Sequence, residues 1–226
     1  MTVDSIIEDI THCPYRFIDA ALPSEVEKEL IVPIFEEIIA ERLIEAKPVE
    51  HPFICNVSGI PAAGKSTYCK RLMRGEISFN GIDFSNVLYF AFDEIMQNPA
   101  LPYHIDAAKD LQYAFDRWEA PARIAGYELL KRAVDANLNI LFEHSSSLKQ
   151  HVNLFDLLIS HYGYEFYFVY LNLDANEARK RVEDRAKQEN RTFASERIDE
   201  RYAAINSLLP EYKKLCKLNN YKQIEQ

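Results

Sequence analysis

The sequence predicts an α/β fold, a doubly wound and mostly parallel sheet with an N-terminal helical preface. Three observations carry that expectation. Four short apolar runs, residues 53–58 (FICNVS), 87–92 (VLYFAF), 138–142 (LNILF) and 165–173 (EFYFVYLNL), are rich in aromatic and branched residues and show little polar alternation, as strands buried on both faces do. Longer segments of helical period separate them, which suits parallel strands because these need crossover connections. Polar groups also collect just after the runs, at Gly59, Asp93-Glu94, Glu143-His144-Ser145, Asn172 and Asp174. Parallel sheets bind their ligands at the carboxyl ends of their strands.

Taken in order, Ser24-Glu25-Val26-Glu27 resembles a capping box opening a helix of about twenty residues that contains Pro33. Residues 1–50 thus read as a helical extension and 51–226 as the main domain. After the first run a helix spans roughly 65–74. The segment from about 104 to 136 is helical, with a kink or break expected at Pro121. Another helix covers roughly 148–162. Asp174 is placed to cap a helix reaching about Asn190, and a last helix occupies about 195–218 with a bend at Pro210.

Composition narrows the function. With 226 residues, 48% of them hydrophobic, the chain can bury one sizeable core. Its 26 basic residues against 35 acidic ones give a net charge of −9, which argues against bulk nucleic-acid binding while leaving room for a local anion pocket. The start lacks a basic region followed by a long apolar one, and no segment approaches eighteen uninterrupted apolar residues, so a cytoplasmic protein outside the membrane is expected. Cys13, Cys55, Cys69 and Cys216 form no C-x-x-C pair, and the histidines no H-x-x-x-H pair, which fits reduced thiols without a zinc site.

The chain has only six glycines, and Gly59 and Gly64 stand five apart with Lys65, Ser66 and Thr67 following. Gly59 to Ser66 satisfies G-x-x-x-x-G-K-[ST], between an apolar run and a helix as a P-loop requires. Glycines let the backbone curl so that successive N–H groups, including those of Ala62 and Ala63, point at the phosphates of ATP. The helix N-terminus adds its positive end and Lys65 reaches the β and γ phosphates. Ser66 would hold magnesium through its hydroxyl.

Asp93 directly follows VLYFAF, where a small-molecule kinase places the base that orients the acceptor hydroxyl. Magnesium coordination or helix capping are its other readings, and Glu94 reads as a solvated first-turn residue. Glu143 can bind the acceptor, order magnesium-bound water or cap the following helix, and His144 and Ser145 beside it are candidate acceptor contacts. Arg179, Arg181 and Arg185, then Arg191, Arg197 and Arg201, suit either a lid over ATP at about 179–197 or a wet helix face. Arg191 and Arg185 are the stronger candidates. Trp118, Tyr113 and Phe115 read as core, His104 is a weaker candidate than His144 for reaching the acceptor pocket, and Tyr103 and Tyr127 have no assigned role.

The blocks GIPAAGKST, FAFDEI, FEHSS, GYEFYFVYL and RVEDRAKQENRTFASERI, in that order, resemble the zeta-toxin-like P-loop kinases, with chloramphenicol phosphotransferases as cousins. The resemblance covers about residues 50–215. It implies transfer of the γ-phosphate of ATP, with magnesium, to a hydroxyl, in bacterial zeta toxins the 3′-hydroxyl of a UDP-amino sugar. By position it makes Lys65 and Ser66 nucleotide residues, Asp93 the acceptor base, Glu143 and Ser145 acceptor-binding, and Arg185 and Arg191 phosphate contacts. It also implies an inhibitory, antitoxin-like protein partner. Two departures fall on the acceptor side: His144-Ser145-Ser146-Ser147 replaces the family's Gly-Thr and following arginine, and Asn98-Pro99 stands where the family has His-Pro.

Overall fold

A computed structural model describes residues 2–11, 22, 28–189 and 196–226, without the side chains of 185–189 and 196. The predicted capping box at Ser24 and the predicted phosphate contact Arg191 lie outside the described residues.

Five strands form one all-parallel sheet: β1 (Phe53–Ser58), β2 (Leu88–Phe90), β3 (Ile140–Glu143), β4 (Glu165–Asn172) and β5 (Tyr221–Glu225), in spatial order β2-β3-β1-β4-β5. The phosphate-loop strand β1 is central, with Val57 opposite Glu143 of β3 and Ser58 opposite Tyr170 of β4. This register fixes the site, because it sets the ends of β1, β3 and β4 beside one another. Flanking the sheet are α1 (Val3–Thr11), α2 (Lys28–Leu43), α3 (Lys65–Met73), α4 (Phe92–Met96), α5 (Tyr103–Ala107), α6 (Leu111–Asp135), α7 (Lys149–Tyr162), α8 (Ala175–Glu189) and α9 (Glu196–Leu215).

Every residue of β2 is buried, as are five of the six in β1, which is why these strands carry no polar alternation. Ile6, Ile7 and Ile10 of α1 and Phe35, Ile38 and Ile39 of α2 enter the same continuous core as the sheet. The helical preface is therefore packed into the molecule through α6 and α7. Among the described residues no helix is long and apolar enough to cross a membrane.

Three expectations about elements are corrected. The helical segment after β2 breaks at residues 108–110 rather than at Pro121, which lies inside the continuous α6. Asp110 makes the new start by accepting the Tyr113 N–H at 2.9 Å. A fifth strand, β5, was not foreseen; its exposed Lys222, Gln223 and Glu225 suit an edge, and edge strands carry charge to discourage further pairing. The second run yields strand only to Phe90, and Asp93 then falls within the first turn of α4 instead of projecting from a strand end. Asp174 caps α8 as expected, its Oδ1 accepting from the N–H groups of Asn176 (2.8 Å) and Glu177 (3.2 Å).

Candidate nucleotide site and an adjoining arginine cavity

The glycine loop leaves β1 and turns into α3. A Cβ on Gly59 would stand 2.9 Å from the Leu171 carbonyl oxygen and 3.1 Å from the Ala63 Cβ, so only glycine lets the loop pass this close to β4. Gly64 (φ +81°) and Ala62 (φ +63°) take the left-handed conformation that curls a loop around an anion. Lys65 opens α3 and donates from Nζ to the Ile60 carbonyl at 3.1 Å, folding back over the loop. Burial pulls its pKa down, the carboxylate of Glu143 pulls it up, and Arg201 adds a smaller downward pull. Thr67 is exposed on the first turn of α3.

The strand register then brings Glu143 to the loop. Ser66 Oγ donates to Glu143 Oε1 at 2.6 Å, and the Tyr89 hydroxyl donates to Glu143 Oε2. Burial, then the charge of Glu143 and this hydrogen bond, push the Tyr89 hydroxyl pKa up, so it remains a donor. A hydroxyl beside a fixed carboxylate, at the mouth of a phosphate loop, is an oxygen donor set suited to a hard divalent cation such as magnesium.

Asp93 is exposed in the first turn of α4. Glu94 is not merely solvated: Lys70 Nζ lies 3.2 Å from it and Arg42 Nη1 4.0 Å, so it ties α4 to α3 and α2. That engagement distinguishes the two carboxylates: Glu94 holds helices together, while the exposed Asp93 lies within electrostatic reach of Lys65 and Arg201.

Beyond Glu143 the chain is pinned from beneath. Ser58 Oγ donates to the Ser145 carbonyl (2.6 Å), Asn56 Nδ2 to the carbonyls of Phe142 (3.0 Å) and His144 (3.3 Å), and Tyr212 to the Ser146 carbonyl (2.6 Å). The His144 ring stacks on Phe142 with centroids 5.2 Å apart, and its Nδ1 accepts the Ser146 N–H at 3.0 Å, which puts the proton on Nε2. Burial, His151, Arg123, Arg201 and Lys65, in that order, hold its pKa well below the usual range. His151 likewise has its pKa lowered to about 3 by burial; it accepts the Leu148 N–H (3.2 Å) and meets the Tyr127 hydroxyl (3.1 Å).

His144 and Ser145 open on a cavity of about 430 Å³ that Tyr127, Arg123, Arg197 and Arg201 also line. Ile10 of α1 reaches its wall. Arg123 was not anticipated, since nothing in an amphipathic helix sequence distinguishes an arginine facing a cavity from one facing water. Of the arginines that were, Arg179 is held by Asp199 at 2.6 Å and by Asn176. Arg181 bonds Glu177 and approaches the Ala62 carbonyl at 3.5 Å, bringing α8 against the glycine loop. Arg185 belongs to α8, but its side chain lies outside what the structure describes.

On the far side of the loop, β5 ends beside the same glycines. Gln226 N donates to the Asn172 carbonyl at 3.0 Å and Asn172 Nδ2 to Glu225 Oε2 at 2.8 Å. Gln226 Oε1 lies 3.9 Å from where a Cβ on Gly64 would stand.

Residues 56–204 match the family model described as an AAA domain. The chain belongs to this P-loop family. A solved structure from the PezAT chromosomal toxin–antitoxin system of Streptococcus pneumoniae superposes with a TM-score of 0.63 at 13% identity, over 85% of this chain and 77% of that one. It shares the fold. A Chloroflexus aurantiacus protein, itself only provisionally assigned as a kinase, aligns with a TM-score of 0.46 at 12% identity, over 77% of this chain and 85% of that one. The P-loop architecture makes nucleotide binding the basic property of this member of the AAA-domain family.

Proposed function

We propose that this protein is a magnesium- and ATP-dependent phosphotransferase of the cytoplasm that moves the γ-phosphate to a hydroxyl of a small molecule. The observation that carries the reading is the convergence of the glycine loop, the Ser66–Glu143 pair and the exposed carboxylate of Asp93, which lies within electrostatic reach of Lys65. The loop amides of Ala62 to Ser66 and the Lys65 ammonium bind the phosphates and neutralise charge on the transferring group. Ser66, with Glu143 behind it, would hold magnesium, which supplies Lewis-acid stabilisation of the phosphates when bound. Asp93 accepts the proton of the attacking hydroxyl as the new O–P bond forms and ADP leaves. Arg185 and Arg191 complete the charge neutralisation in this proposal, on the strength of the family resemblance. His144 and Ser145 contact the acceptor. The resemblance also supports an inhibitory protein partner, since the pneumococcal neighbour comes from a toxin–antitoxin system.

The test pairs binding with transfer. Asp93→Asn is expected to bind ATP within about twofold of wild type while transfer falls at least a hundredfold, within the range for loss of a general base. Lys65→Ala should lose nucleotide affinity as well. Acceptors are found by mass spectrometry after incubating the protein with magnesium ATP and UDP-sugars, nucleosides, antibiotics and sugar phosphates. Transfer by Asp93→Asn at the wild-type rate would remove Asp93 from the role of base.

A further inference from the structure

The cavity beside the transfer site has a chemistry of its own. Arg123 enters it from α6, and Arg197 and Arg201 from successive turns of α9. Among the described residues, three guanidinium groups thus line the cavity with one carboxylate, Glu200. Glu119 braces Arg123 from within α6. Burial comes first in lowering the pKa values of Arg123 and Arg201, and Arg197 lowers both further, as closely set like charges do. Both Asp93 and Lys65 are close enough for their charges to act on, or be acted on by, Arg201. The cavity therefore adjoins the point where a hydroxyl would be activated.

We propose that Arg123, Arg197 and Arg201 form the anion subsite of the acceptor, and that the acceptor is a small polyol carrying a phosphate monoester. This rests on the phosphotransferase reading above and names its substrate class. Guanidinium groups match phosphate oxygens two at a time, and a monoester presents three such oxygens with a charge of about −1.5 to −2 at neutral pH. The aromatic groups at the cavity are already engaged: Tyr127 with His151, and His144 with Phe142 and Ser146. Among the described residues they leave no open ring on which a nucleotide base would stack, Tyr127 being 0% exposed, which favours a compact sugar phosphate over a nucleotide-linked sugar. The cavity thereby answers for the arginine missing after Glu143: positive charge arrives from α6 and α9 instead. In the transfer step the acceptor oxygen bonds to the γ-phosphorus, the bond from that phosphorus to the ADP oxygen breaks, and the hydroxyl proton passes to Asp93. The product is a bisphosphate, to be consumed by an enzyme that recognises two phosphate groups.

The test is calorimetric titration of hexose 1- and 6-phosphates, glycerol phosphate, the free sugars and UDP-sugars into the protein with its glycine loop filled by magnesium and a non-hydrolysable ATP analogue. A phosphate monoester is expected to bind more tightly than any free sugar or UDP-sugar, and at least tenfold more weakly to Arg123→Gln. Arg123→Lys should recover only part of that loss, and the affinity of either variant for the ATP analogue should stay within about twofold. Monoester binding should weaken between pH 7 and 5 as the ligand takes up its second proton near pH 6. The guanidinium groups stay charged and the two histidines neutral across that range. Preference for UDP-sugars with a flat pH profile, preference for free sugars, indifference to Arg123→Gln, or no monoester binding at millimolar concentration would each overturn the proposal. The phosphotransferase reading would survive any of these, and falls separately if the wild type fails to bind the ATP analogue or if Lys65→Ala binds it equally well.

Discussion

Tyr89 shows how much of a site lies one residue behind the motif that announces it. Its hydroxyl holds the second oxygen of Glu143 while Ser66 holds the first. Partners of this kind fix the orientation of metal-facing carboxylates, and losing one costs about 10- to 100-fold in metal affinity. Tyr89→Phe is accordingly expected to raise the magnesium concentration needed for half-maximal binding of a fluorescent ATP analogue by about tenfold, with metal-free nucleotide affinity unchanged. An unaltered magnesium requirement would reduce Tyr89 to a packing residue. The glycine loop of Gly59, Lys65 and Ser66 was legible in the sequence because a P-loop motif is local in spacing, whereas the place of Asp93 in a helical turn was not. Tyr89 and Arg123 were not, because their roles arise from the β2–β3 pairing and from which way α6 turns, neither of which leaves a local signal.

At the scale of elements, α4 carries Asp93 and is set against α6 by a contact with no slack. A Cβ on Gly126 would lie 2.6 Å from the Phe92 ring and 3.0 Å from that of Phe90. Gly126→Ala is therefore expected to cost about 1–3 kcal/mol in urea unfolding, as overpacking does. Since Phe92 is next to Asp93, transfer should slow with nucleotide affinity held within about twofold. A stable variant with normal turnover would show that α4 can shift without consequence. The sequence made the buried strands plain, because β1 and β2 are apolar along their length. It hid β5, whose polar residues resemble a surface loop, and it misplaced the break near α6. There, burial of Pro121 beside Trp118 and Ala122 sustains a helix that proline alone would interrupt.

For the molecule as a whole, the buried histidine pair sets a limit on the acid side. An unfolded imidazole titrates near 6.5, whereas that of His151, packed among Tyr127, His144 and Arg123, does so at about 3. Between those values the unfolded chain takes up a proton that the native state refuses, so stability is full above pH 6.5 and declines as the pH falls toward 3. For His151 alone the loss at pH 5 is about 2 kcal/mol. His144 acts in the same direction. Urea unfolding at pH 7, 6 and 5 should show this decline, and His151→Gln should flatten it by about that amount. An identical pH slope in the variant would assign the effect elsewhere.

The edge strand β5 gives the same molecule a practical geometry. Gln226 lies against Gly64, at the rim of the phosphate loop. A small environment-sensitive dye carried at position 226 would therefore report when the loop fills.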